Sequence, residues 1–398
     1  MPLFLPDKIF IMQRTIDEIN EKIALSKASV LTAHEAKELI AEKGIKYFFS
    51  NVDLITCASF EMVTNALLYL SFGQTDPLIY FSEAYINNVS AVPAGPTDLI
   101  LSSVTSAKDN VEYSGSNIIE DLVSGRDLQL KAIGKSLPVF PNREFDTWFN
   151  LSNLNSARIF FNQLVNQNNI VATNSGDKDI DSHMGTLIGK IENSTFNSSS
   201  SLNPLLNDPY CKTIGIGTRI WIAGGSGYIT GFGSNHNPSQ KRNKYGVPVG
   251  PAITLSGYVD LVNIDPKWLR AGYLRSFGPV LFVGLGVPIP ILNEEIVNYI
   301  GITDDKINTT IVDFSIPRRT KPTFGQCTYS ELRTSTVMIN DKPTLTAPLS
   351  SMAGAVQICN ILKDLILGKK FYLTKQVESI NLELEQKKLD SRLSESAY

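Results

Sequence analysis

The chain has 398 residues, of which 43% are hydrophobic and 19% charged, and its formal net charge at pH 7 is −3. A chain of this length exceeds the usual size of one compact unit, so we expect two lobes, about 13–150 and 151–378. The slightly negative charge argues against a nucleic-acid partner, because phosphate binding requires clustered Lys and Arg. No apolar run reaches the roughly eighteen residues that predict a membrane span.

The cysteines are isolated from one another along the chain. Cys57, Cys211, Cys327 and Cys359 show neither paired metal-ligand spacing nor the density of a disulfide scaffold. The three histidines show no ligand spacing either, so we predict no metal site and no bound cofactor. The N-terminus lacks the features of a secretory signal. Reduced thiols and a cytoplasmic location are the corresponding expectations.

The first lobe shows alternating helix and strand patterns. Residues 15–25 carry apolar side chains at helical spacing, and 28–31 are predicted to form a short strand. Thr32 can cap a second helix, and 52–56 predicts a buried strand. This alternation predicts a layered α/β lobe with a mixed sheet.

The second lobe begins differently and then becomes rich in glycine. Residues 150–203 contain much Asn and Ser, which predicts a loop region over the surface. Residues 213–237 read as two strands joined by a tight turn at Gly224-Gly225-Ser226-Gly227. Residues 277–292 are apolar throughout and predict a buried strand. We therefore expect a Gly-rich, β-containing second lobe, with the functional cleft between the two lobes.

The C-terminal region divides into a helix and a charged tail. Residues 353–367 have apolar side chains at helical spacing, and Gly368 follows as a C-cap. Residues 379–398 form a charged tail, predicted to be an exposed helix or partly disordered.

The Gly-rich turn is the first candidate ligand site. Gly224, Gly225 and Gly227 could bring backbone N–H groups to an anion, although a plain hairpin turn is favoured on pattern alone. A folded hairpin could bring Arg219 and His236 to one end, and both are ligand-site candidates. A lone histidine is more often structural than catalytic, and that reading stays open.

Two short basic runs occupy turn-rich segments, at 241–244 and 318–321. For each run a solvated loop is favoured over a phosphate or anion site.

Several segments together resemble the prokaryotic homocysteine biosynthesis (sulfur-incorporation) family. They are RTIDEINEKIALSKASVLTAHEA, DLITCASF, SGSNIIEDLVSG, NPLLNDPYCKTIGIGTRIWIAGGSGYITG, VGLGVPIPIL and APLSSMAGAVQICNILKDLILGKKFYLT. The resemblance covers a single domain over 13–378. It implies an enzyme of sulfur amino-acid and methionine biosynthesis that inserts sulfur into an aldehyde, aspartate semialdehyde, to make homocysteine. It also implies an aldehyde or amino-acid-like ligand and an external reductant or ferredoxin-like partner, and it is compatible with a homo-oligomer.

The resemblance also locates two positions where the family carries cysteine. The family's Met-Cys-Ser-Ser-Gly motif corresponds here to Met-Val-Thr-Asn-Ala, with Val63 in place of the thiol. Its Asp-Cys-Tyr-Pro-Arg motif corresponds to Pro-Val-Phe-Pro-Asn-Arg, with Val139 in place of the second thiol and Arg143 as a candidate anion contact. The family's chemistry is believed to run through cysteine persulfide, which valine cannot form.

Three hypotheses for function follow from these substitutions. Cys57, at the end of the predicted 52–56 strand, is a candidate relocated sulfur carrier, with a small buried hydrophobe as the alternative reading. A second hypothesis keeps the aldehyde pocket and takes free sulfide or a partner's sulfur, or acts on a different small carbonyl or thiol compound. The third is a non-catalytic relative that binds a metabolite or a partner protein.

Overall fold

The computed structural model describes residues 14–167 and 169–384, whose strands pair into one large sheet and two smaller ones. The strands are β1 (Val30–Thr32), β2 (Leu54–Val63), β3 (Ala66–Ser71), β4 (Phe81–Ile86), β5 (Val89–Pro93), β6 (Asp98–Ser102), β7 (Leu128–Gly134), β8 (Glu144–Phe149), β9 (Ser156–Asn166), β10 (Ile170–Thr173), β11 (Ile180–Ser182), β12 (Gly185–Leu187), β13 (Asn193–Phe196), β14 (Arg219–Ile222), β15 (Gly225–Phe232), β16 (Thr254–Asp260), β17 (Leu269–Leu274), β18 (Gly278–Pro290), β19 (Asn308–Asp313), β20 (Thr323–Thr328), β21 (Thr336–Ile339) and β22 (Lys342–Pro348).

The α-helices cover the faces and ends of these sheets. They are α1 (Ile16–Ala24), α2 (Ala33–Lys43), α3 (Ile45–Asn51), α4 (Gly115–Val123), α5 (Pro204–Asn207), α6 (Glu294–Ile300), α7 (Tyr329–Leu332) and α8 (Met352–Leu367). In the described part of the chain, no helix combines the length and the apolar character needed to cross a bilayer.

The large sheet is mixed and has 14 strands. Its order is β1-β2-β18-β14-β15-β16-β9-β3-β6-β5-β4-β7-β8, with β17 paired to β18 outside this path. The β1–β2 pair is parallel, whereas β2–β18 and β3–β9 are antiparallel. Strands from before and after residue 150 therefore share this one sheet, and they meet at the β2–β18 and β9–β3 pairs.

The second sheet has six strands, in the order β20-β19-β10-β13-β22-β21, all from residues after 150. It has its own apolar core, which includes Val171, Ile311 and the fully buried Tyr329. The hairpin β11–β12 forms the small third sheet. The prediction of an α/β fold with a mixed sheet and a further β region is confirmed. The Gly-rich strands β15 and β18 lie in the large sheet, with β14 between them.

The two N-terminal helices form where the sequence predicts them because each begins with a capping box. The Thr15 hydroxyl accepts the Glu18 backbone N–H at 3.2 Å, and the Glu18 carboxylate accepts the Thr15 N–H at 2.7 Å. Thr32 and Glu35 repeat this arrangement at the start of α2. The buried faces of these helices pack on the large sheet. The helix α8 and its cap at Gly368 also match the prediction.

The prediction of a loop region over 150–203 is wrong, since this segment contributes β9 to β13. In β9 the apolar side chains alternate inward, with Ile159 and Phe161 fully buried. The Asn and Ser side chains are accommodated by hydrogen bonds: the Asn174 amide donates to the Lys178 and Leu187 carbonyls at 2.8 and 3.0 Å. Even the turn at 198–200 is buried. Polar composition therefore did not predict exposure here.

The C-terminal tail is described as far as Leu384, and this part forms no helix. Glu378 makes an isolated antiparallel bridge with Ile216, and Ile380 is 7% exposed. The remainder of the predicted tail, 385–398, lies outside the described residues.

Candidate functional site

The main candidate site is a cavity of about 730 Å³ between the two larger sheets. One wall comes from β2, β9 and β16 of the large sheet, through side chains such as Met62, Gln163 and Thr254. The opposite wall comes from β10, β19 and β20, and includes Val312 and Thr323. A cavity lined by both sheets meets the general expectation that ligand sites lie between structural layers.

Carboxamide side chains give the cavity a polar interior. The lining includes Gln163, Gln167, Asn197 and Asn235. The Gln163 amide donates to the Ser234 carbonyl at 3.0 Å, which fixes the orientation of this side chain. Amide groups that line a cavity can donate to or accept from a polar ligand.

The mouth of the cavity carries a histidine held over two aromatic rings. His183 lies in the β11–β12 turn, with its ring centroid 5.5 Å from that of Phe314 and 6.0 Å from that of Phe277. The hairpin is tied to the β17–β18 turn, because the Ser276 hydroxyl donates to Asp181 at 2.8 Å. The surrounding protein desolvates the imidazole and positive Lys321 repels its charged form, and both effects lower the pKa of His183.

Two basic side chains line the same mouth. Arg319 and Lys321 belong to the β19–β20 connection, residues 314–322. The Lys321 ammonium donates to the Ile316 carbonyl at 2.8 Å and lies 5.2 Å from the Phe314 ring centroid. Phe314 thus contacts both Lys321 and His183, so the ammonium and the imidazole lie on the same side of the cavity.

The end of β2 brings the residues on either side of the first substituted position, Val63, to the cavity wall. Met62 and Thr64 line the cavity, whereas the side chain of Val63 between them is 4% exposed. Glu61, on the same strand, accepts the Ser199 backbone N–H at 3.0 Å. Burial raises the pKa of Glu61 to about 7, against the opposing effect of the Ser199 hydrogen bonds.

The second substituted position lies on an exposed turn. Val139 is 69% exposed in the β7–β8 connection. The Arg143 guanidinium donates to the backbone carbonyls of Lys135 and Phe140 at the same turn. Neither Val139 nor Arg143 lines the cavity. The hydrogen bonds of Arg143 therefore stabilise its own turn.

All four cysteines of the chain are described, and all are buried. Cys57 lies within β2 and is fully buried, and burial raises the pKa of its thiol well above the ordinary value even though the nearby Lys37 ammonium opposes this. Burial also raises the pKa of Cys211, and it raises the pKa values of Cys327 and Cys359 to about 12. Because the thiolate is the reactive form, these environments disfavour sulfur transfer through the chain's own thiols.

The predicted hairpin forms, but its turn lies at Ala223 and Gly224. The prediction that 225–227 also belong to the turn is wrong, because these residues pair in register with 220–222 as the start of β15. Gly224 has φ +105°, and a Cβ there would lie 2.8 Å from the Asp265 backbone nitrogen. A Cβ at Gly227 would lie 2.6 Å from the Tyr258 carbonyl oxygen, and Gly225 is also buried. These glycines allow close packing of the hairpin, and none of them lines the cavity.

The two polar candidates near the hairpin are separated from each other. The Arg219 guanidinium donates to the Ser226 hydroxyl at 2.7 Å and stacks on Phe371 at 4.4 Å, away from the cavity. His236 is 4% exposed, next to the cavity-lining Asn235. Its Nδ1 accepts the Thr254 backbone N–H at 3.2 Å and its Nε2 lies 3.2 Å from the Asn381 carbonyl oxygen. His236 therefore supports the cavity wall from behind.

Comparison with known proteins assigns the family. The homocysteine biosynthesis enzyme, sulfur-incorporation family matches residues 28–373. This chain belongs to that family.

Two similar proteins carry the name L-aspartate semialdehyde sulfurtransferase. The Methanocaldococcus jannaschii protein is 34% identical over 386 residues, which cover 93% of this chain and 74% of the relative. The Methanosarcina acetivorans protein is 33% identical over 374 residues, covering 94% and 73%. An uncharacterized protein of Methanothermobacter thermautotrophicus is 23% identical over 318 residues, covering 76% and 69%. No solved structure matches.

In this family member the cavity gathers residues that lie far apart in the sequence. Sequence reasoning nominated none of its lining residues, and the nearest nominee, His236, lies behind the wall. The one available signal for Arg319 and Lys321 was the basic run 318–321, for which a solvated loop was favoured. His183 carried no local signal, because only the folding of β11–β12 against 314–322 brings it to the mouth.

Proposed function

We propose that this chain incorporates sulfur into a small aldehyde of the aspartate semialdehyde class, in the cavity between the sheets, and that the sulfur comes from outside the chain. The burial of all four thiols carries the second part of the proposal. The family assignment and the names of the two relatives support the substrate class. The cavity beside Val63, where the resemblance places a family thiol, supports the location.

The chemistry balances with sulfide and a two-electron reductant. Hydrosulfide attacks the carbonyl carbon, the carbonyl π electrons move to oxygen, and loss of water leaves a thioaldehyde. Two electrons and two protons then reduce the carbon–sulfur double bond to the thiol. The isolated cysteines offer no cluster-binding run, so we propose that an external ferredoxin-like protein supplies the electrons.

His183 is the group we assign to proton transfer. It lines the cavity, and desolvation and the nearby Lys321 lower its pKa, which favours the neutral imidazole. A neutral imidazole can accept the proton of hydrogen sulfide and return it to the developing alkoxide. We also propose that Gln163, whose amide donates to the Ser234 carbonyl, hydrogen-bonds the carbonyl oxygen of a bound aldehyde.

The first test is turnover with defined components. Purified protein is incubated with aspartate semialdehyde, sodium sulfide and reduced ferredoxin, and homocysteine is measured by mass spectrometry. We expect sulfide-dependent product from native protein treated with iodoacetamide and from the Cys57→Ala variant, since neither removes a group that the proposal uses. Loss of product in Cys57→Ala of normal circular dichroism, or labelled sulfur bound to Cys57, would support the relocated carrier and reject the proposal.

A second candidate function is binding of the same class of metabolite without turnover. The burial of every thiol favours it, because a family member without an accessible thiol can retain the cavity alone. Absence of homocysteine from the complete mixture, together with calorimetric binding of a substrate analogue, would select this candidate. A requirement for homocysteine or methionine in a deletion strain would reject it.

The setting of the proposed reaction follows from its reactants. Aspartate semialdehyde, sulfide and reduced ferredoxin are present in the cytoplasm, and we propose that the protein acts there. Self-association is an additional proposal, checked by sedimentation with and without the ferredoxin-like partner.

A further inference from the structure

The charge distribution of the cavity is one-sided. Its mouth carries Arg319 and Lys321, and no residue lining it within the described chain is acidic. The nearest carboxylate in sequence, Asp313, is 3% exposed and accepts hydrogen bonds from Ser175 and Ser315 outside the lining. A cavity lined by cationic groups and by no carboxylate of the described chain favours a ligand with an anionic group.

The connection 314–322 positions Lys321 for such a ligand. Its ammonium has three N–H donors, of which the Ile316 carbonyl takes one at 2.8 Å. The contact with the Phe314 ring restricts the side chain, so less conformational entropy is lost when a ligand binds. Arg318 belongs to the same connection, is exposed, and does not line the cavity. The connection therefore supplies both the candidate group and its matched control.

We propose that Lys321 and Arg319 form a carboxylate-binding cradle that selects aldehydes bearing a carboxylate and points their carbonyl group toward the Met62–Thr64 end of the cavity. This inference rests on the proposed function, for which it names the specificity determinant. Arg319 presents a planar guanidinium that can pair with both carboxylate oxygens, and Lys321 adds a point charge beside it. The hydrogen bonds to the ligand are charge-assisted, which makes them stronger than neutral ones.

The experiment uses two unreactive probes that differ only in the carboxylate. L-homoserine keeps the amino acid group and replaces the aldehyde by an alcohol, and 3-aminopropan-1-ol lacks the carboxylate. We expect calorimetry to detect L-homoserine binding and no 3-aminopropan-1-ol binding. Equal binding of the two probes would overturn the proposal.

Variants then test the individual groups. Lys321→Gln is expected to weaken L-homoserine binding by about 10- to 100-fold, the range for one lost charged hydrogen bond. Arg319→Gln should act in the same direction, and Lys321→Arg should restore most of the affinity. Arg318→Gln, which removes the same charge from outside the cavity, should change the affinity by less than about twofold.

Two other outcomes would overturn the proposal of a carboxylate-binding cradle. Equal losses in Lys321→Gln and Arg318→Gln would mean that only the general positive field matters. An effect of Lys321→Gln on the sulfide KM with unchanged L-homoserine affinity would assign the cations to the sulfur anion. The two proposals fail separately: selective L-homoserine binding without turnover rejects the proposed function alone, and turnover without carboxylate selectivity rejects the cradle alone.

Discussion

Two segments that the sequence marks as candidate anion sites fold in opposite ways. The Gly-rich hairpin β14–β15 packs against β16 and the 263–265 turn, so its glycines serve close contact between backbones. The connection 314–322, for which a solvated loop was predicted, leads Arg319 and Lys321 into the wall of the cavity between the sheets. The comparison teaches that a segment rich in hydrogen-bond donors forms a binding site only if the folded structure leaves those donors facing a cavity.

The hairpin side of this comparison is tested by adding a methyl group. In Gly227→Ala the new Cβ would meet the Tyr258 carbonyl oxygen at 2.6 Å, so the strands must separate locally. We expect a loss of about 3 kcal/mol in the free energy of unfolding, measured by denaturant titration. The matched control, Ser226→Ala, loses only an exposed hydrogen bond to Arg219 and should stay within about 0.5 kcal/mol.

The same hairpin variant separates packing from binding. Folded Gly227→Ala protein should bind L-homoserine with wild-type affinity. If it loses affinity while its stability is unchanged, the hairpin is the ligand site after all, and the contrast between the two segments fails.

The buried carboxyl of Glu61 and the ammonium of Lys321 at the cavity mouth are expected to affect stability differently. Glu61 precedes the cavity-lining Met62 on β2, and burial raises its pKa from 4.5 to about 7. A carboxyl whose folded-state pKa is raised contributes full stability below pH 4.5, and this contribution declines as the pH rises to 7. Glu61→Gln keeps an acceptor for the Ser199 N–H and removes the charge. The free energy of unfolding of this variant, relative to that of wild type, should therefore rise by about 2 kcal/mol as the pH increases from 4.5 to 8.

Unfolding titrations at pH 5 and pH 8 measure this gain. Lys321→Gln, at the open mouth, should change the free energy of unfolding by less than about 0.5 kcal/mol at both pH values. Two results together would show that Glu61 is solvated: wild type is as stable at pH 8 as at pH 5, and Glu61→Gln is no more stable than wild type at pH 8.

The smallest expected effect concerns the arginine of the hairpin. Arg219→Ala removes the stacking on Phe371 and the hydrogen bond to Ser226, which should cost about 0.5 to 1 kcal/mol of stability. L-homoserine affinity should not change, because Arg219 lies away from the cavity. A tenfold weaker affinity in a variant of near-normal stability would return Arg219 to the ligand site.

The sequence predicts the elements that depend on local chemistry. The cap at Thr32 and the helical spacing of α1 and α8 each act over a few residues, and these elements form as expected. The hairpin through Gly224 also forms, but its turn is shorter than predicted. The strands within 150–203 were missed because they are stabilised by partners far along the chain, such as β3 for β9 and β19 for β10. The same long-range pairing brings His183 and Lys321 together, so the cavity could not be read from local patterns.

Hydrogen–deuterium exchange with and without L-homoserine tests the central claim most directly, because it reports both segments in one measurement. Our account predicts slower amide exchange in 180–187 and 314–323 when the ligand binds, with no change in 219–232. Slower exchange confined to 219–232, with the β11–β12 hairpin and the 314–322 connection unaffected, would contradict it.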